Sequence, residues 1–527
     1  MKNIRVLDVT LRDGGCVNNF DFGQEYMDSI LNSLQKSAVD VIEVGYIDEH
    51  KGSEQGRTQY CNERVIPKYF LKHKNPNTEY VVMMDYGKFN VDTLQNRTDD
   101  GIDGIRLAFH KKNRKDIIEV GKKIIDKGYK FYIQPMITLR YSDKELLELI
   151  EDVNENLKDA SGFYMVDSFG EMRGNDVIRL MHLIDKNLIP SMTLGFHSHN
   201  NLQLSYANAM SLLSFDTNRS LMLDSSVMGM GKGAGNLNTE LLLEHLNLYY
   251  GKSYKIQPLL ELIDRVIKVI HEEMYWGYSV EYYLSSINHC TPSYASHFYN
   301  RHMLSIDQVA ELLGMIAEEK KISFDKDYAE SLYLAYNERK IVDDEKTIDI
   351  LKKQMAGRSV ILIAPGKNIL EKKEEIETTI KNKNVVSISL NNFEFDTDYV
   401  CITRNEMYEN ALQKGKKILV SSAIARNAKN EYQIDYKRWI ILKNRETFDS
   451  SGAIMLNLIS SLAPSEIILA GFDGFSADSN ENYFDNNLRR PLETSEKKKL
   501  NTFYTDYIAD LRKSIKIEFI TKSIYGE

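Results

Sequence analysis

Short β-branched apolar runs alternate with amphipathic stretches through the first 250 residues. The runs are IRVLDVT (4–10), VDVIEVGY (39–46), EYVVMMD (79–85), GIRLAF (104–109), KFYIQPM (130–136), GFYMVD (162–167), MTLGFHSH (192–199) and RSLMLDSS (219–226). Between them lie segments such as YMDSILNSLQK (26–36), RKDIIEVGKKIIDK (114–127) and DVIRLMHLIDK (176–186), with apolar residues at helical spacing. Eight strand–helix units in about 250 residues are the count of a (β/α)8 TIM barrel, assigned to 1–252, where a doubly wound sheet usually has fewer strands. Residues 253–350 show helical periodicity and no strand run, and read as a helical appendage on the barrel, with EKTIDILKKQM (345–355) as linker helix. From 357 to 527 the alternation returns in RSVILIAPGKNI, NVVSISLNN, DYVCITRN, KKILVSS and EIILAGFDGF, predicting a Rossmann-like α/β domain with a parallel sheet.

Composition narrows the classes. Lys+Arg 67 against Asp+Glu 76 leaves a net charge of −9, the wrong sign for a nucleic-acid or anionic-membrane binder. Hydrophobic residues at 43% and charged residues at 27% fit a globular chain. Cys16, Cys61, Cys290 and Cys401 form no CxxC pair, which argues against a disulfide scaffold or a structural zinc site and fits a reducing cytoplasm. The N-terminus does not read as a signal peptide, and no apolar run reaches membrane-spanning length.

Barrel active sites lie at the carboxyl ends of the strands. There the sequence places Arg12, Asp13 and Cys16 after the first run, Glu43 in the second, Arg106 and His110 on the fourth, Gln134 on the fifth, Asp167 and Ser168 after the sixth, and His197-Ser198-His199 on the seventh. Residues two apart on a strand share a side, so His197 and His199 can face one ion, with Asp13 as a carboxylate partner. Two imidazoles and a carboxylate describe a catalytic divalent-metal site. Hard oxygen ligands would favour Mn or Mg, and the imidazoles also permit Zn, Fe or Co.

TLRDGG, IEVGY, MVDSFG, HSHNNLQLSYANAM and GMGKGAGNLNTELL occur in order at barrel spacing. Together they resemble the DRE-TIM metallolyases, the HMG-CoA lyase-like superfamily, and within it the 4-hydroxy-2-oxovalerate aldolases. The resemblance implies a divalent metal held by Asp13, His197 and His199, with Asn236 nearby. It implies Arg12 as stabiliser of a pyruvate-type enolate, and Glu43 and Ser168 as residues lining the site. The substrates it implies are a small 2-oxo acid and an aldehyde, in a homo-oligomeric enzyme. The aldolase branch carries a histidine base where this chain has Cys16, so Cys16, His110 or metal-bound water are the candidate bases. The helical segment covers the site in that branch and contributes a tyrosine, for which Tyr283 and Tyr294 are candidates; the same segment also carries His289, His297 and His302. A Claisen-type synthase joining an acyl-CoA to a 2-oxo acid is the alternative chemistry.

The stretch 449–475, ending Gly471-Phe472-Asp473, resembles sialyltransferase-like and MptE-like Rossmann proteins. This implies nucleotide-sugar or phosphosugar binding at Gly366, Lys367, Asn368 and Asp473, and a place in surface-sugar biosynthesis. No histidine follows His302, so the base of a sialyltransferase is missing. A transferase activity in this domain, or a structural role alone, are the other readings.

Overall fold

The computed structural model describes residues 3–69, 74–301, 304–337, 343–403, 405–421, 424, 432–443, 446–476, 482–485 and 494–526. His302 lies outside them. The chain divides into two compact units, Met1–Pro292 and Ser293–Glu527.

The first unit is a TIM barrel. Its strands are β1 (Ile4–Asp8), β2 (Val41–Ile47), β3 (Glu79–Asp85), β4 (Gly104–Phe109), β5 (Lys130–Pro135), β6 (Gly162–Asp167), β7 (Thr193–Ser198) and β8 (Leu221–Ser225). Every neighbouring pair is parallel, and β1 pairs with both β2 and β8, which closes the sheet. A two-residue strand, Gln59–Tyr60, adds to the outer end of β2. All eight predicted strands are present.

Strand parity sorts the side chains. Val6, Ile42, Val82, Ile105, Phe131, Phe163, Phe196 and Leu223 pack outward in the layer that includes the helices. Leu7, Val9, Val41, Val81, Tyr132, Tyr164, Val166 and Met222 fill the barrel interior. Period 2 then carries the inward parity up each strand to Glu43, Asp85, Arg106, Gln134, His197 and Asp224. The barrel thus turns from apolar at its base to charged at its carboxyl mouth.

The predicted helical stretch divides between the units. Helices over Gln257–Leu262, Lys268–Glu273 and Val280–Ile287 stay with the barrel. Trp276 Nε1 donates to Met228 O at 3.0 Å and Ser286 Oγ to Phe169 O at 2.6 Å, so this segment lies against loops of the carboxyl face. Helices Ile306–Gly314 and Lys326–Asn337 belong to the second unit, where Tyr333 donates to Asp449.

The second unit holds a seven-stranded parallel sheet: β9 (Ser359–Ile363), β10 (Val385–Leu390), β11 (Tyr399–Ile402), β12 (Ile418–Ser421), β13 (Gln433–Ile434), β14 (Glu466–Ala470) and β15 (Lys516–Phe519), in the order β13-β12-β11-β10-β9-β14-β15. The five predicted strands are its centre. The edge strands went unread because β13 has two residues and β15 alternates charged with apolar positions. An antiparallel hairpin, Ile441–Lys443 with Glu446–Phe448, was also missed. No helix among the described residues is long and apolar enough to cross a membrane.

Gly195 on β7 tests the barrel packing. A Cβ there would lie 2.3–2.4 Å from three carbons of the Tyr164 ring, which itself sits under Arg106 at 4.7 Å. Gly195→Ala is expected to cost about 1–3 kcal/mol through this overpacking. An unchanged urea midpoint would contradict the account.

Candidate active site

The turn after β1 folds back on itself: Arg12, Asp13 and Gly14 all donate backbone N–H groups to Val9 O. This aims Asp13 at the barrel axis, which His197 on β7 and His199 just past its end also reach. His199 Nε2 lies 3.8 Å and His197 Nε2 4.0 Å from Asp13 Oδ2. Ligand atoms of the three residues lie within 4.8 Å of one another, and all three are buried.

The surroundings fix the imidazole tautomers. His199 Nδ1 lies 3.1 Å from Lys232 O, a group that can only accept, so Nδ1 carries the proton and the Nε2 lone pair faces Asp13. His197 Nδ1 is paired in the same way with Asp224 Oδ2 at 2.9 Å. Burial pulls His199 down to about 4 against the opposing charge of Asp13, so the ring is neutral near pH 7. Burial alone would raise the Asp13 carboxyl, but Arg12 and the two imidazoles outweigh it and hold the group well below the usual carboxylate range.

A chain of buried charges supports this triad. Arg12 Nε donates to Glu43 Oε2 at 2.6 Å, and Arg106 Nη1 lies 2.9 Å from Glu43 Oε1. Arg106 Nη2 bonds Asp224, which holds His197. Arg12 Nη1 closes the circuit onto Asp13 Oδ1 at 3.0 Å. Burial opposes both guanidinium charges, yet their carboxylate partners raise both pKa values.

The buried polar atoms without a hydrogen-bond partner among the described residues include Arg12 Nη2, Asp13 Oδ2 and Asn236 Oδ1. Buried polar atoms are rarely left so. Gly231 preserves the space around them, since a Cβ there would lie 2.2 Å from Asn236 Nδ2 and 3.0 Å from Asp13 Oδ2. One carboxylate oxygen and two imidazole lone pairs, all within 4.8 Å of one another, fit a divalent cation.

Other anticipated residues lie around this core. Cys16 reaches solvent at the mouth, but burial of its sulfur and the charge of Asp13 push the thiol up to about 12. His110 follows β4, and burial lowers it against the pull of Asp85. Ser168 Oγ accepts from Ile137 N at 3.0 Å, which ties it to the neighbouring loop. Of the two anticipated tyrosines, Tyr283 is 40% exposed, while Tyr294 is fully buried in the second unit against Phe324 and Tyr328. Asp224 was not anticipated; its signal was an acidic residue at inward parity in an otherwise apolar strand, LMLDS.

In the second unit a cavity of about 130 Å³ opens where strand order reverses, at the carboxyl ends of β9, β10 and β14. Gly366 and Asp473 line it, with Asn391, Ser451, Phe472 and Tyr504. Lys367 and Asn368 belong to the adjoining turn, and Asn368 N donates to Asp473 Oδ2 at 2.8 Å.

Residues 3–264 match the model of the HMGL-like family. They form an HMGL-like barrel. The chain is 27% identical over 299 residues to the 4-hydroxy-2-oxovalerate aldolase of Pseudoalteromonas translucida, covering 53% of this chain and 83% of the relative. It is 28% identical over 249 residues to 4-hydroxy-2-oxovalerate aldolase 1 of Dechloromonas aromatica, covering 46% of this chain and 69% of the relative. Among solved structures, the N-terminal domain of a presumptive aldolase from Bacteroides vulgatus superposes with a TM-score of 0.50 at 26% identity, covering 58% of this chain and 99% of that one. The named relatives of this HMGL-like barrel are thus carbon–carbon lyases.

Two predictions follow from the HMGL-like site. Arg106→Met leaves Glu43 and Asp224 buried without their shared cation and should cost about 3–5 kcal/mol in chemical unfolding. A loss below 1 kcal/mol would mean that the network is not electrostatically coupled. Mn(II) at a hundredfold excess over its Kd should stabilise the native protein by about 2.7 kcal/mol. Asp13→Asn and His199→Ala should abolish that shift, and a thermal melt that responds to Mn(II) equally in all three proteins would refute the triad.

Proposed function

We propose that the protein is a divalent-metal-dependent aldolase that makes or breaks a carbon–carbon bond through the enolate of a pyruvate-type 2-oxo acid. The carrying observation is the pair of unsatisfied atoms at the mouth: a guanidinium N–H on Arg12 beside a carboxylate oxygen on Asp13. One wants an anion and the other a cation.

A divalent cation, Mn or Mg before Zn or Co, would be held by Asp13, His197 and His199 with Asn236 beside them; bound there, it supplies Lewis-acid polarisation of the 2-oxo acid's oxygens. The remaining work falls to the chain. Glu43 fixes the Arg12 plane through Nε, leaving Nη2 to donate to the oxygen on which enolate charge develops. Asp224 and Lys232 O keep both imidazoles in the ligating tautomer. The buried circuit holds these groups in place before substrate arrives, so little reorganisation is needed when charge moves. A sugar-derived aldehyde is the first acceptor class to screen.

The test is hydrogen–deuterium exchange at the methyl group of pyruvate, followed by NMR in D2O with Mn(II) or Mg(II). The wild-type protein should exchange, with Asp13→Asn and His199→Ala reduced at least about 100-fold, as loss of a group acting in the transition state would demand. If exchange is absent, or continues in both variants, the enolate reading fails. Thiol release from an acyl-CoA in the presence of a 2-oxo acid would then favour the Claisen alternative.

A further inference from the structure

The enolate reading needs a group that moves a proton, and most acidic groups at the mouth are already engaged. Glu43 serves two arginines, Asp224 serves Arg106 and His197, and Asp167 accepts the N–H groups of Glu171 and Met172. Cys16 is held as the thiol.

One pair is built differently. Glu171 follows β6 in a loop packed against the end of β7: His199 N donates to Asp167 O, and a Cβ on Gly170 would lie 2.8 Å from both His199 O and Asn201 N. Glu171 is 5% exposed. Its Oε2 meets His289 Nδ1 at 2.6 Å and Arg140 Nη2 at 3.2 Å, and its Oε1 has no hydrogen-bond partner among the described residues. Arg140 Nη2 also donates to His289 O at 3.0 Å, so the histidine is held by ring and backbone together. The side chain is nevertheless 54% exposed, and Nε2 has no partner among the described residues. A buried carboxylate on Nδ1 with an open Nε2 is the arrangement of an oriented general base.

The backbone supports the assignment. His289 has φ 58 just past the helix Val280–Ile287. Helix ends normally give this left-handed position to glycine, which enters it without steric cost. A histidine kept there by hydrogen bonds to its ring and its carbonyl is a local expense that helix termination does not require.

We propose that His289, oriented by Glu171 and Arg140, is the proton-transfer group of the barrel site. This rests on the enolate reading above. His289 Nε2 takes a proton from C3 of the 2-oxo acid; the C–H electron pair becomes the C2–C3 π bond, and the carbonyl π pair moves onto the oxygen facing Arg12. C3 then attacks the aldehyde carbon with the C2–C3 π pair while the enolate oxygen's pair re-forms the C2 carbonyl; the aldehyde π pair moves onto its oxygen, and that oxygen takes the proton from the imidazolium. The reverse sequence is cleavage.

The test compares two reactions of the full-length protein with Mn(II). Pyruvate methyl exchange needs a base. Oxaloacetate decarboxylation, read as CO2 release in a single turnover, reaches the same enolate without a base and before any proton returns to C3. His289→Gly suits the left-handed backbone and should fold at least as stably as wild type. It should lose at least about 100-fold in exchange and recover part of it with added imidazole. Its decarboxylation should stay within about twofold of wild type, since the enolate-stabilising groups are untouched. Glu171→Gln, which keeps the side-chain shape, should slow exchange and leave decarboxylation alone. Exchange undiminished in His289→Gly overturns the proposal, as does loss of both reactions together or failure of imidazole to rescue. A wild-type protein inactive in both assays would instead sink the enolate reading itself.

Discussion

Arg106 is a full positive charge with no solvent exposure, near the middle of a barrel whose lower half is apolar. Such an ion is tolerated only where carboxylates meet it at good geometry, because desolvation alone costs several kcal/mol. Glu43 and Asp224 meet that need from opposite sides, one on β2 and one on β8. Each has a second task, since Glu43 holds Arg12 and Asp224 holds His197. The requirement to neutralise one buried cation therefore also sets the Arg12 plane and the His197 tautomer. The aromatic face of Tyr164 beneath the guanidinium removes the remaining freedom, and the missing side chain of Gly195 makes room for that ring. Lysine could not replace Arg106, because one ammonium cannot present a planar fork to two carboxylates and stack on a ring at once.

Division of labour at the mouth follows from rigidity. The groups that would bind cation and enolate stand on strands or on the tight turn after β1, where backbone hydrogen bonds fix them. The proposed proton carrier stands on the segment packed over the loops after β5 and β6, held by side-chain contacts at one rim. Charge stabilisation depends on fixed dipoles, whereas a group that visits two atoms in turn gains from an exposed position.

The barrel was legible because its strands are buried on both faces and read as apolar runs, while its helices carry one apolar stripe. The cluster of Asp13, His197 and His199 was legible because His-x-His on a strand and the motif RDG each mark a strand end. Arg106 was noticed as a strand residue without a role, since its partners are 63 and 118 positions away and no local spacing marks them. Asp224 escaped for the same reason. The split of the helical stretch between two units was not readable, because amphipathic periodicity shows that a helix has a buried face and says nothing of what buries it. His289 was seen as part of an aromatic-rich segment, and the role proposed for it rests on a contact with a residue 118 positions earlier.

The charge balance explains why these residues form one site. Within the circuit, Arg12 and Arg106 face Asp13, Glu43 and Asp224, an excess of one carboxylate over the guanidiniums. A monovalent cation would only cancel that excess. A divalent one turns the cluster net positive, and a 2-oxo acid monoanion then restores neutrality. Inside a low-dielectric barrel an assembly whose charges balance is preferred, because unbalanced buried charge is costly. The divalent ion and anionic substrate of the proposed reaction match the circuit's one extra carboxylate. Glu171 stands apart from this set, paired with Arg140, so a proton gained by His289 changes the charge at the rim without disturbing the balance at the core.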